Sequence, residues 1–129
     1  MKTYTISEVA KMMGVAPSAL RYYDSEGLMP QVEKVNGRRV FTEDDVSWLK
    51  LIFCMKALGT PIKEIRTFMD LVQQGDSTLQ KRLDIVLKQK ESILAQLATL
   101  QENLALLTRK EEYYRKAVAA GTSKIDWQW

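Results

Sequence analysis

The side chains in this sequence best equipped for chemistry are hydrogen-bond donors, not nucleophiles or metal ligands. In SALRYYDSEGL, the residues Ser18, Arg21 and Tyr22 share one side of a helical turn. The guanidinium of Arg21 is a planar, permanently charged fork that suits a guanine edge or a phosphate. Tyr22 can donate its hydroxyl to a phosphate while its ring covers a sugar. Downstream, VEKVNGRRVF crowds Lys34, Arg38 and Arg39 onto a short tip. Strand alternation sends Arg38 and Arg39 to opposite faces, so one is expected to meet phosphate. The other is expected to hold the tip onto the domain or to pair with an acid. Lys63 lies near the start of a later helix, whose positive end favours a phosphate contact. The competing readings are plain ones: Arg21 paired with Asp24 on a solvated helix, and Lys63 in water.

The composition narrows the classes of function. The chain has 129 residues, no histidine and one cysteine. A tetrahedral zinc site, or a Ser-His or Cys-His nucleophile, is thereby excluded within one chain. No base, nucleophile and oxyanion site coincide, so no enzyme and no cofactor are expected. A lone cysteine forms no internal disulfide, which fits a reducing compartment. No apolar run approaches the roughly 18 residues of a membrane span. The start, MKTYTISEVAKMMG, is amphipathic and lacks a signal-peptide core, so a cytoplasmic location without membrane contact is expected. Net charge is only +3, so any case for nucleic acid rests on how the charge is distributed.

These donors need positioning, and the sequence reads as mostly helical. Thr5 and Glu8 stand at capping-box spacing before Ile6, Val9, Ala10 and Met13, which share a helical face. Gly14 ends that helix. Pro17 suits the first turn of the next, which Gly27 closes. Two short helices joined through a glycine outline a helix-turn-helix. Asn36-Gly37 is the favoured pair for a two-residue type I′ hairpin turn, and the flanking valines and Phe41 read as strands. Thr42 and Asp45 can cap a helix through Leu58, and Gly59 ends it. Pro61 opens another, with Ile62, Ile65, Phe68, Met69 and Val72 inward. From Ser77 the pattern is a heptad seam: Leu79, Leu83, Val86, Lys90, Ile93, Leu97, Leu100, Leu104, Leu107, Glu111, Tyr114 and Val118. Such a helix runs about 60 Å at roughly 1.5 Å per residue. A second copy is the economical partner for its stripe, in a parallel or antiparallel coiled coil. Lys90 within the seam would fix register at some cost in stability.

Together TISEVAKMMGV, ALRYYDSEGL, VNGRRVF, TEDDVSWLKLI, ALGTPIKEI and the terminal coiled coil resemble the MerR family of transcriptional regulators over nearly the whole chain. The resemblance implies a mainly α fold: a winged helix-turn-helix DNA-binding domain with a long C-terminal dimerisation helix in an antiparallel coiled coil. The expected divisions are 1–76 for the DNA-binding domain, 77–120 for the dimerisation helix and 121–129 for a tail. It further implies a homodimer on double-stranded promoter DNA, at a pseudo-palindromic operator between the two promoter elements and beside RNA polymerase. Effector binding then bends and untwists DNA whose spacer is too long, which is indirect readout. Arg39 matches the family arginine of the wing's G-x-R pattern, expected at or near DNA. Ala16 and Ala19 depart from the family, standing where many members carry a hydroxyl, which weakens capping.

Cys54 sits in WLKLIFCMKALG, apolar nearly all round, which suggests burial against the partner's coiled coil. A free cysteine there is usually a small hydrophobe, yet Lys50 one turn earlier would favour thiolate. The chain resembles the branch with aldehyde- and electrophile-responsive members, which carry a cysteine at this point, so Cys54 is a candidate sensor thiol. Metal-sensing relatives use paired cysteines or histidines beyond the coiled coil; this tail has none. Trp127 and Trp129 are candidates for the lining of an apolar effector pocket, or for finishing the core. The alternative to an effector- or stress-responsive regulator is an architectural DNA-binding protein that answers to no effector.

Overall fold

A computed structural model describes residues 2–124. In chain order it contains α1 (Ile6–Met13), α2 (Pro17–Ser25), β1 (Glu33–Val35), β2 (Arg38–Val40), α3 (Glu43–Ala57), α4 (Ile62–Gln74), a 3₁₀ turn (Asp76–Thr78) and α5 (Leu79–Ala120). The chain divides into two compact units, one up to Arg82 and the other from Leu83.

In the first unit, local chemistry sets the helix boundaries. The Thr5 side chain accepts from the Glu8 backbone N–H, and the Glu8 carboxylate accepts from that of Thr5. These bonds hold the Glu8 carboxyl below its usual range, the backbone bond being the larger cause. Thr42 and Asp45 form the same reciprocal pair at the start of α3. The α2 helix has no side-chain cap: its N-cap is Ala16, and Pro17 supplies the start. Gly14 stops α1 in the left-handed region, and its N–H reaches back to the carbonyls of Ala10 and Lys11.

β1 and β2 pair antiparallel with Lys34 opposite Arg39 and Val35 opposite Arg38. Asn36 and Gly37 both take positive φ, 52° and 78°, as a type I′ turn requires. The pairing runs one step beyond the hairpin. Tyr4 and Phe41 form a bridge with backbone bonds of 2.8 and 2.9 Å, which fastens the chain before α1 to the wing.

The core lies where the four helices meet. Val9, Leu20, Phe41, Leu49, Ile52 and Ile65 are fully buried, and Tyr23 packs edge-on to Phe53 at 5.3 Å. In α4, Ile65, Phe68 and Met69 are buried, while Ile62 and Val72 are only partly covered. Polar side chains then fasten the loops to this core. The Trp48 indole N–H donates to the Leu28 carbonyl at 2.8 Å. The buried Thr78 hydroxyl lies 2.6 Å from the Leu71 carbonyl, and Arg82 donates to Thr78 Oγ1 and to the Gly75 carbonyl.

In the second unit, α5 presents its seam to solvent. Leu100, Leu104 and Leu107 are each more than 60% exposed, and Ile93, Leu97, Tyr114 and Val118 are exposed too. Past Gly121 the chain turns back, and the Tyr113 hydroxyl donates to the Ser123 carbonyl. Among the described residues no helix is long and apolar enough to cross a membrane.

The cap of α3 offers a direct check. Thr42→Ala should lower the unfolding free energy by about 1 kcal/mol, since one N-terminal amide loses its acceptor. Thr42→Ser should keep most of it. Urea denaturation of both variants measures the difference.

Candidate nucleic-acid interface

The hairpin wing, α2 and the start of α1 enclose an open cleft of about 910 Å³. Its basic lining comes from Arg21 on α2 and from Lys34, Arg38 and Arg39 on the wing. Local structure accounts for each. Leu20 and Tyr23 are buried, so the helix period turns Arg21 and Tyr22 outward, and both are exposed. Burial raises the Tyr23 phenol's pKa, with a smaller contribution from Tyr22. The type I′ turn places Lys34 and Arg38 on the exposed wing.

Arg39 is committed elsewhere. Its Nη2 and Nε donate to the two Asp24 carboxylate oxygens at 2.6 and 3.1 Å, and its Nη1 donates to the Val32 carbonyl. The two side chains are 18% and 24% exposed. The sequence led one of Arg38 and Arg39 to be expected to hold the wing onto the domain or to pair with an acid, as Arg39 does, and it offered Asp24 as a partner for Arg21. In the structure Asp24 is taken by Arg39, which joins the wing to α2 and leaves Arg21 clear. Among the described residues, Arg21, Lys34 and Arg38 carry no ion pair.

The electrostatics follow from that pairing. Arg39 and Asp24 neutralise each other, so the cleft offers three cations against Glu8. Tyr4 also lines it. Its hydroxyl donates to Glu43 Oε1 at 2.5 Å, and this bond is the main reason its pKa is raised. The Tyr4 hydroxyl is thereby committed to Glu43, and the donors that the cleft offers are the three cations. This arrangement suits a polyanion that crosses between helix and wing.

The remaining candidates lie outside the cleft. Ser18 and Tyr22 are exposed on α2, one turn apart. Lys63 is exposed in the first turn of α4 and does not line the cleft. Cys54, expected to be covered by a partner's coiled coil, is exposed in the single chain. The unit buries Val46, Leu49, Ile52 and Met55 of α3, and Cys54 and Lys50 are exposed on that helix. Trp127 and Trp129 lie outside the described residues. Among those described, no group of His, Cys, Asp or Glu is placed to hold a metal ion.

Two positioning residues escaped the sequence reading. Arg66 on α4 donates through Nε to the Glu26 carbonyl at 3.1 Å, and its Nη2 contacts the same carbonyl. This ties the end of α2 to α4. Tyr4, through its bridge to Phe41, closes the cleft from the other side. Neither has a sequence signal, because each contact joins residues far apart in the chain.

Residues 4–71 match the family described as MerR HTH family regulatory protein, and residues 46–110 match the one described as MerR, DNA binding. The chain is 38% identical to an uncharacterized HTH-type transcriptional regulator of Haemophilus influenzae, over 95% of this chain and 91% of that one. Among solved structures, HiNmlR, a MerR family regulator lacking the sensor domain and bound to promoter DNA, matches with a TM-score of 0.74 and 38% identity. The match covers 95% of this chain and 98% of that chain. A MerR family transcriptional regulator from Bacillus thuringiensis matches with a TM-score of 0.72 and 36% identity, over 86% of this chain and 98% of that one.

The Asp24–Arg39 link makes a prediction about the wing alone. Asp24→Ala should leave the helices intact while the amides of β1 and β2 exchange with solvent about tenfold faster or more. Charge-assisted bonds of this kind are worth roughly 1.5–3 kcal/mol. Hydrogen exchange followed by NMR reads the change residue by residue.

Proposed function

The chain belongs to the MerR family of helix-turn-helix regulatory proteins, and from that premise we propose that it binds double-stranded promoter DNA as a homodimer and regulates transcription there beside RNA polymerase. The observation that carries the reading is the cleft, where Arg21, Lys34 and Arg38 converge from two elements without acidic partners. In this reading Arg21 meets a base edge or phosphate, and Ser18 and Tyr22 bind backbone beside it. Lys34 and Arg38 hold phosphate from the wing, Arg39 keeps the wing in place, and Lys63 reaches a flanking phosphate. Residues 1–76 act as the DNA-binding domain and 77–120 as the dimerisation helix, with 121–129 as a tail that includes Trp127 and Trp129. The exposed seam of α5 supports the homodimer, and one compact reader per chain suits a pseudo-palindromic operator.

Reading and holding separate experimentally. Arg21→Ala should cost about 1–3 kcal/mol at the operator and relax preference at one base pair. Arg38→Ala should weaken all sequences alike and make the salt dependence shallower by about one unit of slope. Footprinting and titration at several salt concentrations, on the promoter upstream of its own gene, distinguish these from unchanged binding, which contradicts the docking face.

The effector response is proposed to enter through Cys54, whose thiol is exposed on α3 in the single chain. Addition of the thiol to an aldehyde carbonyl gives a hemithioacetal with no atom lost, and it adds volume where α3 meets a partner. A switch needs that adduct to favour one arrangement of the two DNA readers over another. Cys54→Ser should bind operator like the parent and no longer respond to aldehyde in a reporter assay. If Cys54→Ser still responds fully, the thiol is filler. A promoter that ignores every effector points instead to an architectural role.

A further inference from the structure

The seam of α5 is apolar and exposed except at two positions, Lys90 and Glu111, which are also exposed and carry opposite charge. We propose that Lys90 of one copy pairs with Glu111 of the other, and that this pair sets the antiparallel direction of the dimer, while full coverage of the stripe sets its register. The inference rests on the homodimer proposed above and goes beyond it by naming what aligns the two helices.

The seam steps alternately by four and three residues from Leu79 to Val118. Let one copy be turned end for end so that Leu79 meets Val118 of the partner. Every seam position then meets another: Leu83 with Tyr114, Val86 with Glu111, Lys90 with Leu107, Ile93 with Leu104, and Leu97 with Leu100. A shift by one heptad either way strands one end of the stripe, either Leu79 and Leu83 or Tyr114 and Val118. In the end-to-end register, Lys90 and Glu111 of the partner fall four residues apart along the seam. That is about 6 Å at roughly 1.5 Å per residue, within reach of a lysine side chain. The two-fold axis makes the pair twice. A shift that strands Tyr114 and Val118 moves Lys90 and Glu111 apart by a further two turns, whereas one that strands Leu79 and Leu83 keeps them within reach and is disfavoured by the apolar residues it uncovers.

A parallel, in-register dimer gives the opposite result. Lys90 faces Lys90 and Glu111 faces Glu111, so both polar layers bring like charges together in a partly desolvated seam. Polar groups at seam positions cost stability and fix alignment when only one pairing satisfies them. Arg115 already binds Glu111 Oε2 at 2.6 Å within the chain. Lys90 therefore joins a carboxylate that is partly held in place, and Arg115 shares it. Leu87 and Leu94 are exposed beside the seam and widen the apolar stripe that the second copy covers.

Charge exchange tests the pair in the full-length protein, by sedimentation equilibrium with circular dichroism to confirm helix content. Lys90→Glu and Glu111→Lys should each raise the dimer dissociation constant about tenfold or more. The double exchange, Lys90→Glu with Glu111→Lys, should return it to within about threefold of the parent. In a parallel dimer none of the three changes the balance of like charges, so equal association of all four proteins overturns the proposal while leaving the dimer standing. A parent protein that stays monomeric at micromolar concentration overturns the dimer itself. Register is read separately in a Cys54→Ser background. Chains with Leu79→Cys mixed with chains carrying Val118→Cys should oxidise to a heterodisulfide. A Val118→Cys homodisulfide formed in preference to the mixed product overturns the antiparallel alignment.

Discussion

The face proposed to meet DNA depends on one buttress, the bond between Arg39 and Asp24. A three-residue strand pair is too small to hold its own position. The Arg39 guanidinium spans the gap: two donors go to Asp24 on α2 and a third to the Val32 carbonyl at the root of the wing. Both side chains are largely shielded from water, so the bond is less screened than a surface ion pair. Its cost to the charge balance is small. One cation and one anion leave the cleft's account together, and the cations that remain are those without partners.

The other polar contacts of the first unit serve the same end. The α2 helix begins at Ala16 without a side-chain cap, so its stability comes from its surroundings. Arg66 binds the Glu26 carbonyl at its far end, and Trp48 binds the Leu28 carbonyl just beyond. Tyr4 fixes the wing from the side of α1 through its bridge to Phe41. Each of these satisfies a backbone carbonyl or amide that a loop would otherwise leave unpaired. The helix that carries Arg21 is thus positioned by side chains from α3, α4 and the wing rather than by its own sequence.

What the sequence revealed and what it hid follow a physical divide. Both capping boxes, at Thr5 with Glu8 and at Thr42 with Asp45, are local and appear as read. So does the Asn36-Gly37 turn, whose two positive φ values no distant contact has to enforce. The buried Leu20 and Tyr23 and the exposed Tyr22 follow from helix period alone. Asp24 was the ambiguous case. Spacing allowed it to pair with Arg21, and only the fold brings Arg39 across to claim it. In the same way, α3 is apolar on nearly every side, so no period could say which face the unit would bury. The structure exposes Cys54 because the core takes the opposite set.

The long helix shows how far a repeating pattern can speak without a partner present. A strict alternation of four and three residues is the pattern of a helix that packs against another, and the exposed leucines support the homodimer proposed above. Direction and register are a separate matter, because an unbroken leucine stripe pairs almost equally well in several alignments. Information enters only where the stripe is broken. Lys90 and Glu111 are the two breaks, they differ in sign, and they lie toward opposite ends of the seam. A lysine alone would have penalised every alignment that covers it. With a glutamate near the other end, the penalty is offset in antiparallel alignments that bring the two together, and full coverage of the stripe chooses among those.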